Sequence, residues 1–196
     1  MKNVSVVIPF FNRSDTIERS IKSLVANKDY ISQVIIVDDC SSSAEAEFLL
    51  AQVQSFDLPF SIIRNDKNIG AAASRNVGID LAEGEYVAFL DSDDVWFHSK
   101  LESQLIELGN SDFICSGFQK LARSRVVDHF PLSGIVEKNL IFGKSHYQTS
   151  TFLMKTSLAK KIRFSEIPKF QDWDFIIKVQ KSGAKIVFQN KTLVVY

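Results

Sequence analysis

The stretch AFLDSDDVW, residues 88–96, decides how the chain is read. A run of apolar residues stops at once on three carboxylates, Asp91, Asp93 and Asp94, with Trp96 close behind. Like charges this close repel one another unless something positive sits among them. The preceding residues, EYVAFLD, have the continuous apolar character of a strand buried on both faces. Acids at the carboxyl end of such a strand stand where open α/β sheets bind ligands.

The segments before it complete that setting. VSVVIP (Val4–Pro9) is a β-branched run closed by proline, and QVIIVDD and FSIIRN (Phe60–Asn65) are two more strands. Between them lie helical patterns. In the first, Ile17, Ile21, Leu24 and Val25 recur behind a capping-box spacing of Asp15 and Glu18. A second carries Phe48, Leu49 and Val53 behind cap candidates Ser41–Ser43. A third, in NIGAAASRNVGIDLAEG, is rich in small residues and stops at Gly84. Strands alternating with helices predict βαβ units and a mostly parallel, Rossmann-like sheet flanked by helices. After His98 the pattern turns mixed. A helix over Lys100–Leu108 leads to a strand in DFICSGFQKL, then to strand candidates RVVDHF, GIVEKNL and QTSTFLM. Helices are expected over Ser157–Ile162 and Trp173–Lys181, and strands in KIVFQ and TLVVY.

Composition narrows the function. Lys plus Arg and Asp plus Glu each total 23 in 196 residues, so no net charge advertises nucleic acid as a partner. Cys40 and Cys115 form no CxxC pair and read as free thiols of a reducing cytosol. No apolar run approaches the roughly 20 residues of a membrane span. The N-terminus reads as a strand rather than a signal peptide. Acids recur after the second strand (Asp38, Asp39) and the fourth, with no His or Cys cluster near. That donor set suits a hard divalent cation, Mg²⁺ or Mn²⁺. His98, His129 and His146 are scattered and read as surface or packed imidazoles, with His146 placed to approach an acceptor. The phenylalanines of the second half read mostly as core.

Five ordered segments resemble the family 2 glycosyltransferases of GT-A fold. VSVVIPFFNRSDTIERSIKSL is similar to that family's opening strand and helix, and IIVDDCSSS to its VDDGS segment. NIGAAASRNVGI resembles its NxGxxxARNxG loop and helix, FLDSDD its DxD motif, and FQDWDF its later ED motif. The resemblance implies one glycosyltransferase domain over residues 1–196, with a nucleotide-sugar half (1–98) and an acceptor half (99–196). It implies an inverting transfer from a nucleoside-diphosphate sugar, a UDP-sugar by preference, to a hydroxyl of a saccharide or lipid-linked acceptor. Pro9 and Phe11 would line the uracil, Asp39 would accept its ring N–H, and Arg75 would lie near the base or diphosphate. Asp91 and Ser92 would meet the ribose or donor sugar, Asp93 would hold Mn²⁺ or Mg²⁺, and Asp172 would be the catalytic base. The setting implied is polysaccharide assembly for the cell envelope, cytoplasmic and at the inner face of the membrane, with peripheral membrane contact.

Departures from the family pattern are Cys40 for glycine, Ser74 for alanine and Gln171 for glutamate. Asp172 has a second reading as a helix N-cap, Asp94 as a capping or solvated acid, and Asp174 as a solvated or capping acid. TLVVY ends on a strand pattern, so either a minimal catalytic domain or a longer chain is expected. Two other classes fit part of the pattern. A Mg²⁺-binding phosphoacceptor signalling module would use IVDD, and a nucleotidyltransferase would share the fold but would need a Gly-rich phosphate loop after the first strand.

Overall fold

The computed structural model describes residues 3–122, 125–143 and 145–196. Strands β1 (Val4–Phe10), β2 (Ile31–Asp38), β3 (Phe60–Arg64) and β4 (Tyr86–Phe89) alternate with helices α1 (Ser14–Val25), α2 (Ser43–Gln54) and α3 (Ala71–Leu81). Beyond β4 come β5 (Val95–Trp96), α4 (Lys100–Leu108), β6 (Phe113–Ala122), β7 (Arg125–His129) and α5 (Val136–Ile141). The chain then forms β8 (Phe152–Lys155), α6 (Thr156–Ile162), α7 (Gln171–Lys181) and β9 (Ile186–Val195). One sheet runs in the order β3-β2-β1-β4-β8-β6-β9-β5, with β7 added on β6. The pairs β1–β2, β1–β4 and β2–β3 are parallel, while β8 lies antiparallel between β4 and β6. This is the α/β, mostly parallel architecture that the alternation predicts.

Side-chain alternation along β1 builds two cores. Val4, Val6, Ile8 and Phe10 face α1, α2 and α4, and Val7 faces α3, α6 and α7. All seven residues of β1 are buried, as a strand covered on both faces requires. From β1 the chain steps out to β2 and β3, then returns to place β4 on the other side. The order reverses between β1 and β4, which makes their carboxyl ends a topological switch point.

Several local expectations change. Asp15 and Glu18 do not form a capping box. Arg13 is the N-cap without a side-chain bond, and Glu45 of α2 accepts from the Ser14 N–H (2.9 Å) and hydroxyl (2.8 Å). Ser42 does cap α2 through Glu45 N. GIVEKNL is mostly helix, because Val136 and Leu140 bury one face at i, i+4 and the Gln180 side chain accepts from Val136 N. Of QTSTFLM, residues 149–151 form a 3₁₀ turn and the strand begins at Phe152. KIVFQ and TLVVY merge into one strand, β9, that shifts register along β6.

Candidate active site

The turn after β2 carries the first pair of acids. Cys40 takes a left-handed conformation there (φ 64°), at the position of the family's glycine. A side chain in that region costs roughly 1–2 kcal/mol. Asp38 turns inward, accepting from Ser41 N (2.9 Å) and pairing with Arg64 (2.8 Å). With both oxygens taken, Asp38 is not the free strand-end carboxylate that a phosphoacceptor module needs. Asp39 Oδ1 accepts from Ile69 N (2.8 Å) and Asn65 Nδ2 (2.9 Å), and Oδ2 from Gly70 N (2.7 Å). Gly70 has φ 87°, which favours glycine. A carboxylate offers about four acceptor sites, so Asp39 keeps one for a further N–H donor.

The DxD turn is framed from below by one polar stripe of α1. Arg19 donates to Asp93 O (2.7 Å) and Ser20 to Ser92 O (3.0 Å). Ser23 Oγ accepts from Trp96 N (3.1 Å), and the Asn27 side chain bonds Phe97 O (3.1 Å) and Leu101 N (3.0 Å). Sequence reasoning missed this stripe, although its 3–4 residue spacing lay in view within α1 and just past its end. A second support comes from the turn before β8. Ser150 Oγ accepts from Asp91 N (2.9 Å) and donates to Asp94 Oδ2 (2.5 Å), and Gln148 Nε2 reaches the same oxygen (2.6 Å). Asp94 is therefore neither solvated nor a cap. It is 1% exposed, and burial, followed by the nearby charge of Asp91, pushes its carboxyl up to about 7. Lys100 is also fully buried, its ammonium 2.7 Å from Gln104 Oε1 and 4.1 Å above the Trp96 ring centre. Burial drives its amine well below the usual range. Trp96 Nε1 and Gln104 Nε2 in turn hold Ser150 O and Thr151 O.

At this switch point lies a cleft of about 380 Å³ whose lining includes Pro9, Phe11, Asp39, Arg75, Asp91, Ser92 and Asp93. The structure thus brings together every residue that the resemblance assigned to the donor. Phe11 is 44% exposed, with its ring free to meet a planar ligand. Arg13 and Asn68 also line this cleft, and sequence reasoning had singled out neither.

Arg75, on α3, is buried and reaches two ways. Nη2 pairs with Asp91 Oδ1 (2.5 Å) and Nη1 donates to Gln171 Oε1 (3.1 Å). Gln171, where the family has glutamate, thus ties the start of α7 to the DxD turn. Asp172 follows it. The N-cap of α7 is Phe170 (φ 61°), so Asp172 is not the cap. It is half-buried and accepts from Trp173 N (2.9 Å). Burial, reinforced by the charge of Asp91, raises its carboxyl above the ordinary aspartate range. Asp174 pairs with Lys178 (3.2 Å).

Asp172 lies outside the first cleft and lines two others. One, of about 270 Å³, also contains Arg75, Asp91 and Gln171. The other, of about 410 Å³, contains Phe118, His129, His146 and Trp173. His129 and His146, scattered in sequence, meet with ring centres 5.3 Å apart. Asp172 therefore stands between the acid-lined cleft and an aromatic pocket.

Among the described residues no group of three or more His, Cys, Asp or Glu side chains could hold a metal ion. The Asp93 side chain is exposed on the cleft. Mg²⁺ and Mn²⁺ commonly take one or two carboxylates and fill the rest of the shell with water and substrate phosphates. The residues fit an ion that arrives with a nucleotide.

Comparison with known proteins agrees with this architecture. The model of the family described as "Glycosyl transferase family 2" matches residues 5–164. The chain is 34% identical over 215 residues to the amylovoran biosynthesis glycosyltransferase AmsB of Erwinia amylovora, covering 100% of this chain and 70% of that protein. It is 27% identical over 179 residues to the Escherichia coli UDP-Glc:alpha-D-GlcNAc-diphosphoundecaprenol beta-1,3-glucosyltransferase WfgD, covering 89% of this chain and 70% of the relative. Among solved structures, Staphylococcus aureus TarS in complex with UDP-GlcNAc superposes with a TM-score of 0.79 at 25% identity, over 100% of this chain and 58% of that one. The chain thus spans less than two thirds of the TarS chain. The mannosyltransferase PcManGT of Pyrobaculum calidifontis, in complex with GDP-Man and Mn²⁺, shares the fold with a TM-score of 0.76 at 15% identity, over 100% of this chain and 57% of that one.

Proposed function

The chain belongs to glycosyl transferase family 2, and from that premise we propose that it transfers a sugar from a UDP-sugar to a hydroxyl of a saccharide or lipid-linked acceptor. The observation that carries this reading is the position of Asp172, between a cleft lined by Asp39, Arg75 and the DxD acids and a second pocket lined by rings. Support for uridine comes from TarS, which was solved with UDP-GlcNAc, and from the UDP-Glc in the WfgD name.

Each residue then has a task. Phe11 stacks on the base and Asp39 uses its remaining acceptor site for the ring N–H. Arg75 holds Asp91 in place toward the donor's hydroxyls, with Ser92 beside it. Asp93 holds the divalent ion, which when bound offsets the charge of the departing diphosphate. Asp172 takes the proton from the acceptor hydroxyl as it attacks the anomeric carbon. Its raised carboxyl makes it a stronger base than a solvated aspartate. Asp91, the other carboxylate of the middle cleft, is committed to Arg75 and is a poor nucleophile. One displacement with inversion follows.

Among the described residues no helix is long and apolar enough to cross a membrane. Peripheral work at a membrane surface belongs to the same proposal, supported by the diphosphoundecaprenol in the WfgD name.

Ligand-induced stabilisation tests the donor. UDP with Mn²⁺ raises the melting temperature more than GDP, CDP or TDP do, and Asp39→Ala flattens that preference while leaving metal dependence intact. A protein that responds to none of the four, or an Asp39→Ala variant with full discrimination, contradicts the assignment.

A further inference from the structure

The pocket beyond Asp172 is walled by a chain of rings. Tyr196 meets Phe118 edge-on (5.9 Å), Phe118 stacks on His129 (4.9 Å), and His129 meets His146 (5.3 Å). His146 meets Trp173 (6.5 Å), whose chain neighbour is Asp172. Lys120 lies on the same wall, its ammonium 4.6 Å from the Tyr196 ring centre. Aromatic faces suit the apolar faces of a sugar. What a neutral sugar leaves unexplained is the basic set.

Lys120, His129 and His146 line one pocket, and among the described residues none of them has an ion-pair partner. They come from β6, from β7 and from the segment before β8, so no single element's periodicity explains their meeting. The acids that face them are Asp128 and, from the neighbouring clefts, Asp172 with Asp91, Asp93 and Asp94, whose charges reach the Tyr196 phenol. Asp128, beside His129, is exposed and accepts from the Thr192 hydroxyl (2.7 Å). Tyr147 and Tyr196 are phenols, and Asp172 accepts from Trp173 N (2.9 Å). Burial and the nearby His146 and Lys120 hold the His129 imidazole below its ordinary range, against the opposing charge of Asp128. The pocket thus gathers three basic side chains without an ion pair among the described residues, with Asp172 at its inner end and the DxD acids beyond it.

We propose that this pocket selects an acceptor bearing an acidic group, a carboxylate or a phosphate, which Lys120, His129 and His146 hold while Trp173 and Tyr196 pack on the sugar. The arrangement gives the acceptor a direction, with the anion toward the imidazoles and the nucleophilic hydroxyl toward Asp172. It rests on the reading of Asp172's pocket as the acceptor side. Charge-assisted hydrogen bonds of this kind are strong enough to change affinity by about tenfold or more.

The test titrates the protein, held with UDP and Mn²⁺, with methyl β-glucoside, methyl β-glucuronide and glucose 1-phosphate, following the imidazole resonances and heat. At about pH 6.5 at least one acidic probe binds about tenfold more tightly than the glucoside, moves the His129 imidazole toward its protonated form and perturbs the His146 resonances. The preference shrinks toward about pH 8, where free imidazoles lose their charge. A preference for the glucuronide alone identifies a carboxylate and one for the phosphate alone a phosphate, and either supports the proposal. Lys120→Gln, at an exposed position, and His146→Gln each reduce the preference. Acidic probes that bind no better than the glucoside, or not at all, overturn it, as does a preference that both variants leave whole. UDP affinity, read in the same titration, separates the two claims. UDP binding without charge preference removes only this inference, whereas loss of UDP binding removes the donor reading beneath it.

Discussion

Asp93 and Asp94 are chain neighbours with opposite surroundings. Asp93 is exposed on the cleft, and Asp94 is sealed beneath it by Gln148 and Ser150. Asp93→Asn therefore weakens Mn²⁺-dependent UDP binding far more than Asp94→Asn does, as calorimetric titration of the two variants would read. Equal losses would sink the metal assignment. Asp94 also makes stability depend on pH. Its folded carboxyl lies near 7 because it is buried, so between about pH 4 and 7 the native state keeps a proton that the unfolded chain has released. Its contribution is thus most favourable at the acid end of that window and is lost as pH rises through it. In metal-free protein, Asp94→Asn removes this loss. The variant melts above wild type at about pH 8, by an amount on the order of a few kcal/mol, and the gap closes toward about pH 4. A gap independent of pH would contradict the buried charge. The DxD itself was legible in the sequence, because its acids follow an apolar strand. The fate of Asp94 was not, since its partners lie 54 and 56 residues away.

Elements were legible where periodicity alone decides them. The first four strands and three helices announce themselves by β-branched runs and helical spacing. The second half does not, because its elements depend on tertiary partners. The helix in GIVEKNL starts on a bond from Val136 N to Gln180 of α7, and β9 runs as one strand paired with β6 through shifts of register. The close packing of α3 on β1 was also unreadable. A Cβ added at Gly78 would sit 2.3 Å from Val7 Cγ1, in a strand with no room to yield. Gly78→Ala should gain about 1 kcal/mol in helix propensity yet lose about 1–3 kcal/mol to overpacking, so denaturant unfolding should show net destabilisation. A more stable variant would mean that α3 can lift from the sheet.

At the scale of the molecule, one continuous sheet places three clefts in series. Asp91 and Arg75 join the first to the second, and Asp172 joins the second to the third. The order of motifs made the first cleft visible in the sequence, since all its acids follow strands. The third is built by rings from β6, β7, the segment before β8, α7 and the chain's last residue, which only the folded chain brings together. If this order carries the chemistry, Asp172 touches the reacting hydroxyl and not the nucleotide. The decisive measurement is sugar transfer by Asp172→Asn, made with the donor that the nucleotide screen selects and beside a UDP titration of the same variant. The prediction is unchanged UDP affinity and a melting temperature that does not fall, since Asn also removes a half-buried charge, with transfer reduced by about 10²–10⁴-fold. Transfer at the wild-type rate would contradict it.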